Sequence, residues 1–133
     1  MRRASYTSRM PDEGASEPTY TLYRRGLELL EDGDFEHATA PLAEAARRAP
    51  EKSSIREALG RAYFRSGRFA PAAVEFEAVV ETHPVNDFAH FCLGRAYAKT
   101  GKRVEARRHL RLAAGLRPDR ADYRAYRDRL RAA

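Results

Sequence analysis

Residue types in this chain recur at a fixed step of 34 positions, and that recurrence limits the fold more than any other feature. Gly26, Gly60 and Gly94 stand one step apart, as do Gly33, Gly67 and Gly101. Ala38, Ala72 and Ala106 keep the register, and so do Pro50, Pro84 and Pro118. Leu42, Phe76 and Leu110 form a large apolar column, and Ala45, Val79 and Ala113 a small one. Phe35 and Phe69 match, with Arg103 as the third member. A repeat of this length means stacked supersecondary units that bury their apolar faces only against neighbours, and about three are needed for stability.

Inside each unit the spacing predicts helix, turn, helix, and so an all-α chain. Leu59, Gly60 and Tyr63 lie at helical spacing, as do Leu93, Gly94 and Tyr97. The second glycine of each unit ends the first helix, where a left-handed residue is needed. In the second helix Ala72, Phe76, Val79 and Val80 recur at three and four residues, the amphipathic period. The proline column stops that helix. Pro71 falls in a first turn, where a missing N–H costs little, and Pro41 sits deeper and tilts its helix. Ser54 followed by Glu57 predicts a capping box.

At these columns the chain resembles the tetratricopeptide repeat family, whose pattern is a small residue, an aromatic, a glycine, alanines and a closing proline at this step. Gly60, Tyr63, Gly67, Phe69, Ala72, Phe76 and Pro84 carry the fullest match, and the resemblance covers residues 19–120. Leu29 departs from Tyr63 and Tyr97, and Val79 occupies a column that the family usually fills with alanine. The resemblance implies a right-handed α-solenoid whose first helices line a concave groove. The expected organisation is a disordered tail over residues 1–18, repeats at 19–52, 53–86 and 87–120, and a capping helix at 121–133. Met10 is an alternative start within the tail. Ile55 with Ala62, and Ala89 with Ala96, give small apolar faces for the preceding unit. Thr21 and Glu28 make the first such face polar, which predicts that no helix precedes it. In the cap, Tyr123, Tyr126 and Leu130 lie on one side and Arg124, Arg127, Asp128 and Arg131 on the other, as the end of a solenoid requires. Asp119 is its expected N-cap.

Composition adds exclusions. At 133 residues the chain is one domain's worth, and no run approaches the ~18–20 apolar residues of a membrane span. Cys92 is the one cysteine, so an intramolecular disulfide and a cysteine-built zinc site are excluded. A free thiol and the absence of a secretory leader point to the cytoplasm. The preference for arginine over lysine points to a GC-rich bacterial source. The net charge of +6 sits at the C-terminal end, where residues 87–120 hold nine basic and three acidic groups.

The chain has no phosphate loop, G-x-S-x-G, H-E-x-x-H or C-x-x-C. His37, His83, His90 and His109 fall on different columns, which argues against a metal site. His90 shares its column with Leu22 and Arg56 and is expected to pack half-buried. Cys92 has no activating neighbours and reads as a small hydrophobe. Glu31, Asp32, Asp34 and Glu36 lack the glycine and distal glutamate of a calcium loop; they straddle a turn, with Asp34 and Glu36 at a positive helix end. No cofactor, metal or enzymatic activity is expected.

In the first helices one stripe forms the core: Leu22, Gly26 and Leu29 in the first unit, then Leu93, Gly94 and Tyr97 in the third. A second stripe lies about 120° away, with Tyr20, Tyr23, Leu27 and Leu30, then Ser54, Glu57, Arg61 and Phe64, then Phe88 and Phe91. The resemblance places this second stripe on the groove. The candidate site is therefore Tyr20, Tyr23, Leu27, Glu57, Arg61, Phe64, Arg65, Phe88, Phe91, Arg95 and Lys99, a composition typical of binding hot spots. Some family members grip the C-terminal carboxylate of heat-shock chaperones with a lysine, two asparagines, a lysine and an arginine. The corresponding places here are Tyr23, Leu27, Ala58, Phe88 and Cys92, so that clamp is absent. The expected role is an adaptor that binds an extended or helical segment of another protein, with acidic residues beside apolar anchors. The alternatives are nucleic acid or another anion on an outer basic surface of Lys102, Arg103, Arg107, Arg108 and Arg111, or self-association as a scaffold.

Overall fold

The computed structural model describes residues 17–132. The expected tail and the alternative start at Met10 fall largely outside these residues. Its last two positions lie inside and join the fold. Glu17 forms an ion pair with Arg25 at 2.6 Å, and its carbonyl accepts from Arg48. The Pro18 carbonyl receives the Leu22 N–H at 3.1 Å.

Seven helices follow among the described residues: α1 Thr19–Glu31, α2 Phe35–Arg48, α3 Ser53–Arg65, α4 Phe69–Thr82, α5 Asp87–Lys99, α6 Arg103–Leu116 and α7 Ala121–Ala132. They form an α-solenoid of three helix-turn-helix repeats closed by a seventh helix. Each second helix packs on its own first helix and on the next one, so α2 touches α1 and α3, α4 touches α3 and α5, and α6 touches α5 and α7. The core runs through the stack, because Tyr63 packs against the buried clusters on both of its sides and Cys92 and Leu130 join the next pair. No described helix is long and apolar enough to cross a membrane.

The recurring glycines perform two different tasks. Gly67 has φ +85°, its N–H donates to Phe64 O at 3.0 Å, and Arg68 N donates to Tyr63 O at 2.8 Å. That is the paired arrangement of a left-handed helix stop, and Gly33 and Gly101 repeat it. Gly26, Gly60 and Gly94 instead permit close approach. A Cβ on Gly94 would lie 2.7 Å from Leu110 Cγ and 3.2 Å from the Ala106 carbonyl oxygen, and one on Gly60 would lie 2.8 Å from the Phe76 ring. The glycine column and the Leu42–Phe76–Leu110 column are thus two sides of one contact.

This distinction predicts opposite signs for one substitution. Gly94→Ala gains helix propensity of up to ~1 kcal/mol but overpacks the contact by ~1–3 kcal/mol, a net destabilisation of up to about 2 kcal/mol. Gly115→Ala meets no atom within 4 Å and should stabilise by about 0.5 kcal/mol. Urea midpoints of both variants check this, and a Gly94→Ala protein as stable as Gly115→Ala would refute the packing account.

Three local expectations are corrected. No capping box opens the second repeat: α3 begins two residues earlier than that box requires, its N-cap is Lys52 and not Ser54, and no side chain caps it. The neighbouring Ser53 hydroxyl pairs with His83 Nδ1 at 3.0 Å. Asp119 is not the residue next to α7, which begins at Ala121 after Arg120, and it forms a two-pronged pair with Arg117 at 3.0 and 2.9 Å. In α1 the buried line is Leu22, Gly26 and Leu30, with Leu29 only half-buried. The contact therefore follows the four-residue rows of the helix surface. Asp34 does cap α2, accepting from His37 N at 3.4 Å.

Candidate functional site

A hollow of about 480 Å³ opens where the three first helices meet. The α1–α2 turn contributes Leu30, Glu31, Gly33 and Phe35, α3 contributes Arg61, Phe64 and Arg65, and α5 contributes Phe88, Phe91, Cys92 and Arg95. Six of the residues expected in the groove line it: Arg61, Phe64, Arg65, Phe88, Phe91 and Arg95. Arg61 and Arg95 occupy one repeat column whose first member is Leu27. The cations therefore come from the second and third repeats alone.

Rings hold two of these cations, Arg95 and Arg65, by their faces. The Arg95 guanidinium carbon lies 4.8 Å from the Phe64 ring centroid, 5.6 Å from that of Phe91 and 4.7 Å from that of Tyr126. Arg65 sits 4.3 Å over Phe35. Stacking covers the flat faces of a guanidinium and leaves its in-plane N–H groups free for a carboxylate. Among the described residues no carboxylate forms an ion pair with Arg61, Arg65 or Arg95, whereas Arg56 at the back of the same stack pairs with Glu75 at 2.9 Å.

Glu31 is the carboxylate of the lining, whereas Glu57, expected in the groove, is not part of it. Burial raises the Glu57 carboxyl above its ordinary range, outweighing Arg61, and the nearby Asp87 adds to the rise. Burial also pushes the Cys92 thiol up to about 12, with Glu57 adding to the effect against Arg95 and Arg61. The thiol is therefore protonated at neutral pH and is not an activated nucleophile. Among the described residues no cluster of three or more His, Cys, Asp or Glu side chains could hold a metal ion.

The other expected groove residues lie elsewhere. Tyr20 is 68% exposed and lines a separate shallow depression with Thr21, Arg24, Arg25 and Glu28. Tyr23 and Leu27 are half-buried against the first core cluster. Lys99 lies outside the hollow, its ammonium 5.6 Å from the Phe69 ring. Phe91 reaches the hollow only as floor, since it is 6% exposed and stacks on Tyr123 at 4.5 Å. On the outer side, Lys102, Arg103, Arg108 and Arg111 are exposed, but Arg107 is half-buried and donates to the Leu130 carbonyl at 3.5 Å. Sequence reasoning missed Phe35, Glu31 and Tyr126. Phe35 and Tyr126 read as core and cap positions, and their contacts with Arg65 and Arg95 cross between units.

It also missed a buried polar pair. His90 and His109 meet with Nδ1 atoms 3.0 Å apart and are 5% and 7% exposed. His90 Nε2 lies 2.8 Å from the Pro84 carbonyl, and Arg108 Nη2 lies 3.4 Å from His109 Nε2. One assignment of protons satisfies every ring nitrogen. Arg108 donates to His109 Nε2, His109 Nδ1–H donates to His90 Nδ1, and His90 Nε2–H donates to Pro84 O. Both rings are then neutral. One repeat earlier the same two columns hold Arg56 and Glu75, and Arg56 Nε donates to the Pro50 carbonyl at 2.7 Å. A single slot between paired helices is thus filled by an ion pair in one repeat and by two histidines in the next.

The hairpin stack, its glycine stops and its seventh closing helix define a helical-repeat protein. The tetratricopeptide repeat profile matches residues 23–87 and 58–121, so the chain belongs to the tetratricopeptide repeat family. No curated protein matches the sequence. Among solved structures it is similar to the first repeat domain of Spaghetti (RPAP3) bound to the HSP90 peptide SRMEEVD, with a TM-score of 0.80 and 18% identity over 86% of this chain and 90% of that one. The first repeat domain of human RPAP3 aligns with a TM-score of 0.76 and 18% identity over the same shares, 86% and 90%. MamA from Desulfovibrio magneticus RS-1 aligns with a TM-score of 0.84 and 20% identity, over 91% of this chain and 68% of that one. These likenesses concern the fold.

Proposed function

We propose that the protein is a non-enzymatic interaction module, located in the cytoplasm, that seats a segment of another protein in the hollow between its first helices. The observation that carries this reading is the pair of ring-supported guanidinium groups, Arg65 and Arg95, with Arg61 beside them, none in an ion pair with a described carboxylate. Apolar anchors of the partner rest on Phe64 and Phe88, and acidic residues beside them supply the missing carboxylates. The acidic peptide held by the Spaghetti repeat domain supports the class of ligand. The grip differs, because the residues of the chaperone clamp are absent here.

Selection of displayed dodecapeptides on the wild-type protein should yield acidic sequences with apolar residues. Phe64→Ala with Phe88→Ala should weaken those peptides at least about ten-fold while circular dichroism stays unchanged. Arg61→Glu with Arg65→Glu should turn the preference toward basic peptides. Unchanged affinity in both variants would remove the hollow as the site. The exposed Lys102, Arg103, Arg108 and Arg111 favour a second reading, an anionic partner on the outer face of α6. Nucleic acid there would show affinity falling steeply with salt, and no retention on RNA or heparin would eliminate it.

A further inference from the structure

A second hollow of about 420 Å³ lies between the C-terminal half of α5 and the capping helix α7. Its floor is Leu110, Leu130 and the Tyr126 ring, and its rim carries Lys99 and Arg129. Arg95 lines this hollow and the first one alike, so its side chain is the partition between them. Tyr126 supports that partition at 4.7 Å and Phe64, on the first hollow's wall, at 4.8 Å.

The second hollow repeats the chemistry of the first. The Arg129 guanidinium lies 4.3 Å over Tyr126 and the Lys99 ammonium 5.6 Å from Phe69. Neither forms an ion pair with a described carboxylate, although Asp128 sits beside Arg129 in the chain. Asp128 is turned away, pairing with Arg127 at 2.9 Å and with Arg131 at 3.0 Å. Asp128 thus serves Arg127 and Arg131, while Arg129 beside the hollow, like Arg124 on the outer side, is in no ion pair with a described carboxylate. With Arg95, Lys99 and Arg129 in its lining and no acidic residue among them, this hollow suits an acidic guest.

We propose that the capping helix is half of the recognition site. A partner segment spans both hollows with one apolar side chain in each, an acidic residue between them on Arg95, and a second acidic residue facing Lys99 and Arg129. This rests on the reading given under Proposed function and extends it. One carboxylate engaging the in-plane N–H groups of a ring-held guanidinium fixes the register, and the two anchors on either side supply the apolar burial.

The probe is a panel of fluorescein-labelled peptides with Leu-Asp-Leu-Glu cores in Gly-Ser flanks. The spacing is varied, either leucine is changed to serine, or the acids are changed to amides. Fluorescence polarisation is read on the wild type, on Lys99→Glu/Arg129→Glu and on Phe64→Ala/Phe88→Ala. Lys99 and Arg129 are both exposed, so that pair should leave the fold intact, which circular dichroism checks. Two-anchor peptides should bind the wild type about ten-fold tighter than either one-anchor peptide. Lys99→Glu/Arg129→Glu should abolish that advantage and leave one-anchor binding, while Phe64→Ala/Phe88→Ala should abolish both. Equal binding of one-anchor and two-anchor peptides, or wild-type affinity in the Lys99/Arg129 variant, overturns the two-hollow site and leaves the first hollow standing. A wild type that binds none of the panel, or that dimerises through this face by light scattering, overturns both readings.

Discussion

Tyr123→Ala should destabilise the protein by about 4 kcal/mol, the cost of deleting a fully buried aromatic ring. Tyr123 is 0% exposed and is the largest side chain so buried. Its ring stacks on Phe91 at 4.5 Å, and its hydroxyl donates to Asp87 Oδ2 at 2.7 Å. Asp87 opens α5, so this residue ties the cap to the start of the third repeat and not merely to its end. Helical-repeat stability is a sum of unit and interface contributions, so the loss should fall locally first. Amides of α7 should lose hydrogen-exchange protection before those of α1–α4. Tyr123→Phe keeps the ring and should cost about 1 kcal/mol, the net worth of a hydrogen bond. If Tyr123→Ala melts within about 1 kcal/mol of the wild type, the cap is not anchored in this way.

Acidification should destabilise the fold through the histidine pair. Burial lowers the His109 pKa to about 4 from an ordinary 6.5, with His90 and Arg108 adding to the fall and Glu77 and Glu105 opposing it. The Tyr97 ring also faces it, at 5.7 Å. A proton on either ring would break the donor sequence, because each ring nitrogen facing a donor must be bare. The unfolded chain takes up this proton near pH 6.5 and the folded chain only near pH 4. The neutral pair therefore gives its full stability above about 6.5, loses it as the pH falls, and contributes no further change below about 4. The most it can contribute is about 3 kcal/mol, at 1.36 kcal/mol per pH unit. Urea unfolding at pH 7.0 and 4.5 should show a larger difference for the wild type than for His109→Gln, which takes up no proton. An imidazole signal from His109 that titrates near 6.5 would refute the paired, neutral state.

The hairpin architecture was legible because it is written in columns. Gly67 and its two equivalents stop a helix wherever they stand, and the Gly60–Phe76 contact recurs in each unit with only the large partner changed. The candidate site was half legible. Helical period put Arg61, Phe64 and Phe88 on the second stripes of their helices, and the family resemblance turned those stripes to the groove with Arg65 and Arg95 to one side. Phe91 lies on that stripe too, but Tyr123 captures its ring. Tyr20 shares the stripe as well, yet it projects at the far end of α1 from the hollow. His90 and His109 were seen singly and not as a pair, since their columns hold dissimilar residues in each repeat and a period carries no information about non-recurring partners.

By itself the sequence determined the number of hairpins, which glycines stop the first helices and that a seventh helix closes the stack. Those features follow from local backbone preference and from contacts repeated every 34 residues. Only the tertiary structure decided which exposed rings became floor and which became wall, that Arg95 divides two hollows, and that a proton-sensitive pair replaced an ion pair in the third repeat. These depend on side chains that occur once and meet across helix faces, where distance and angle, not spacing along the chain, set the interaction.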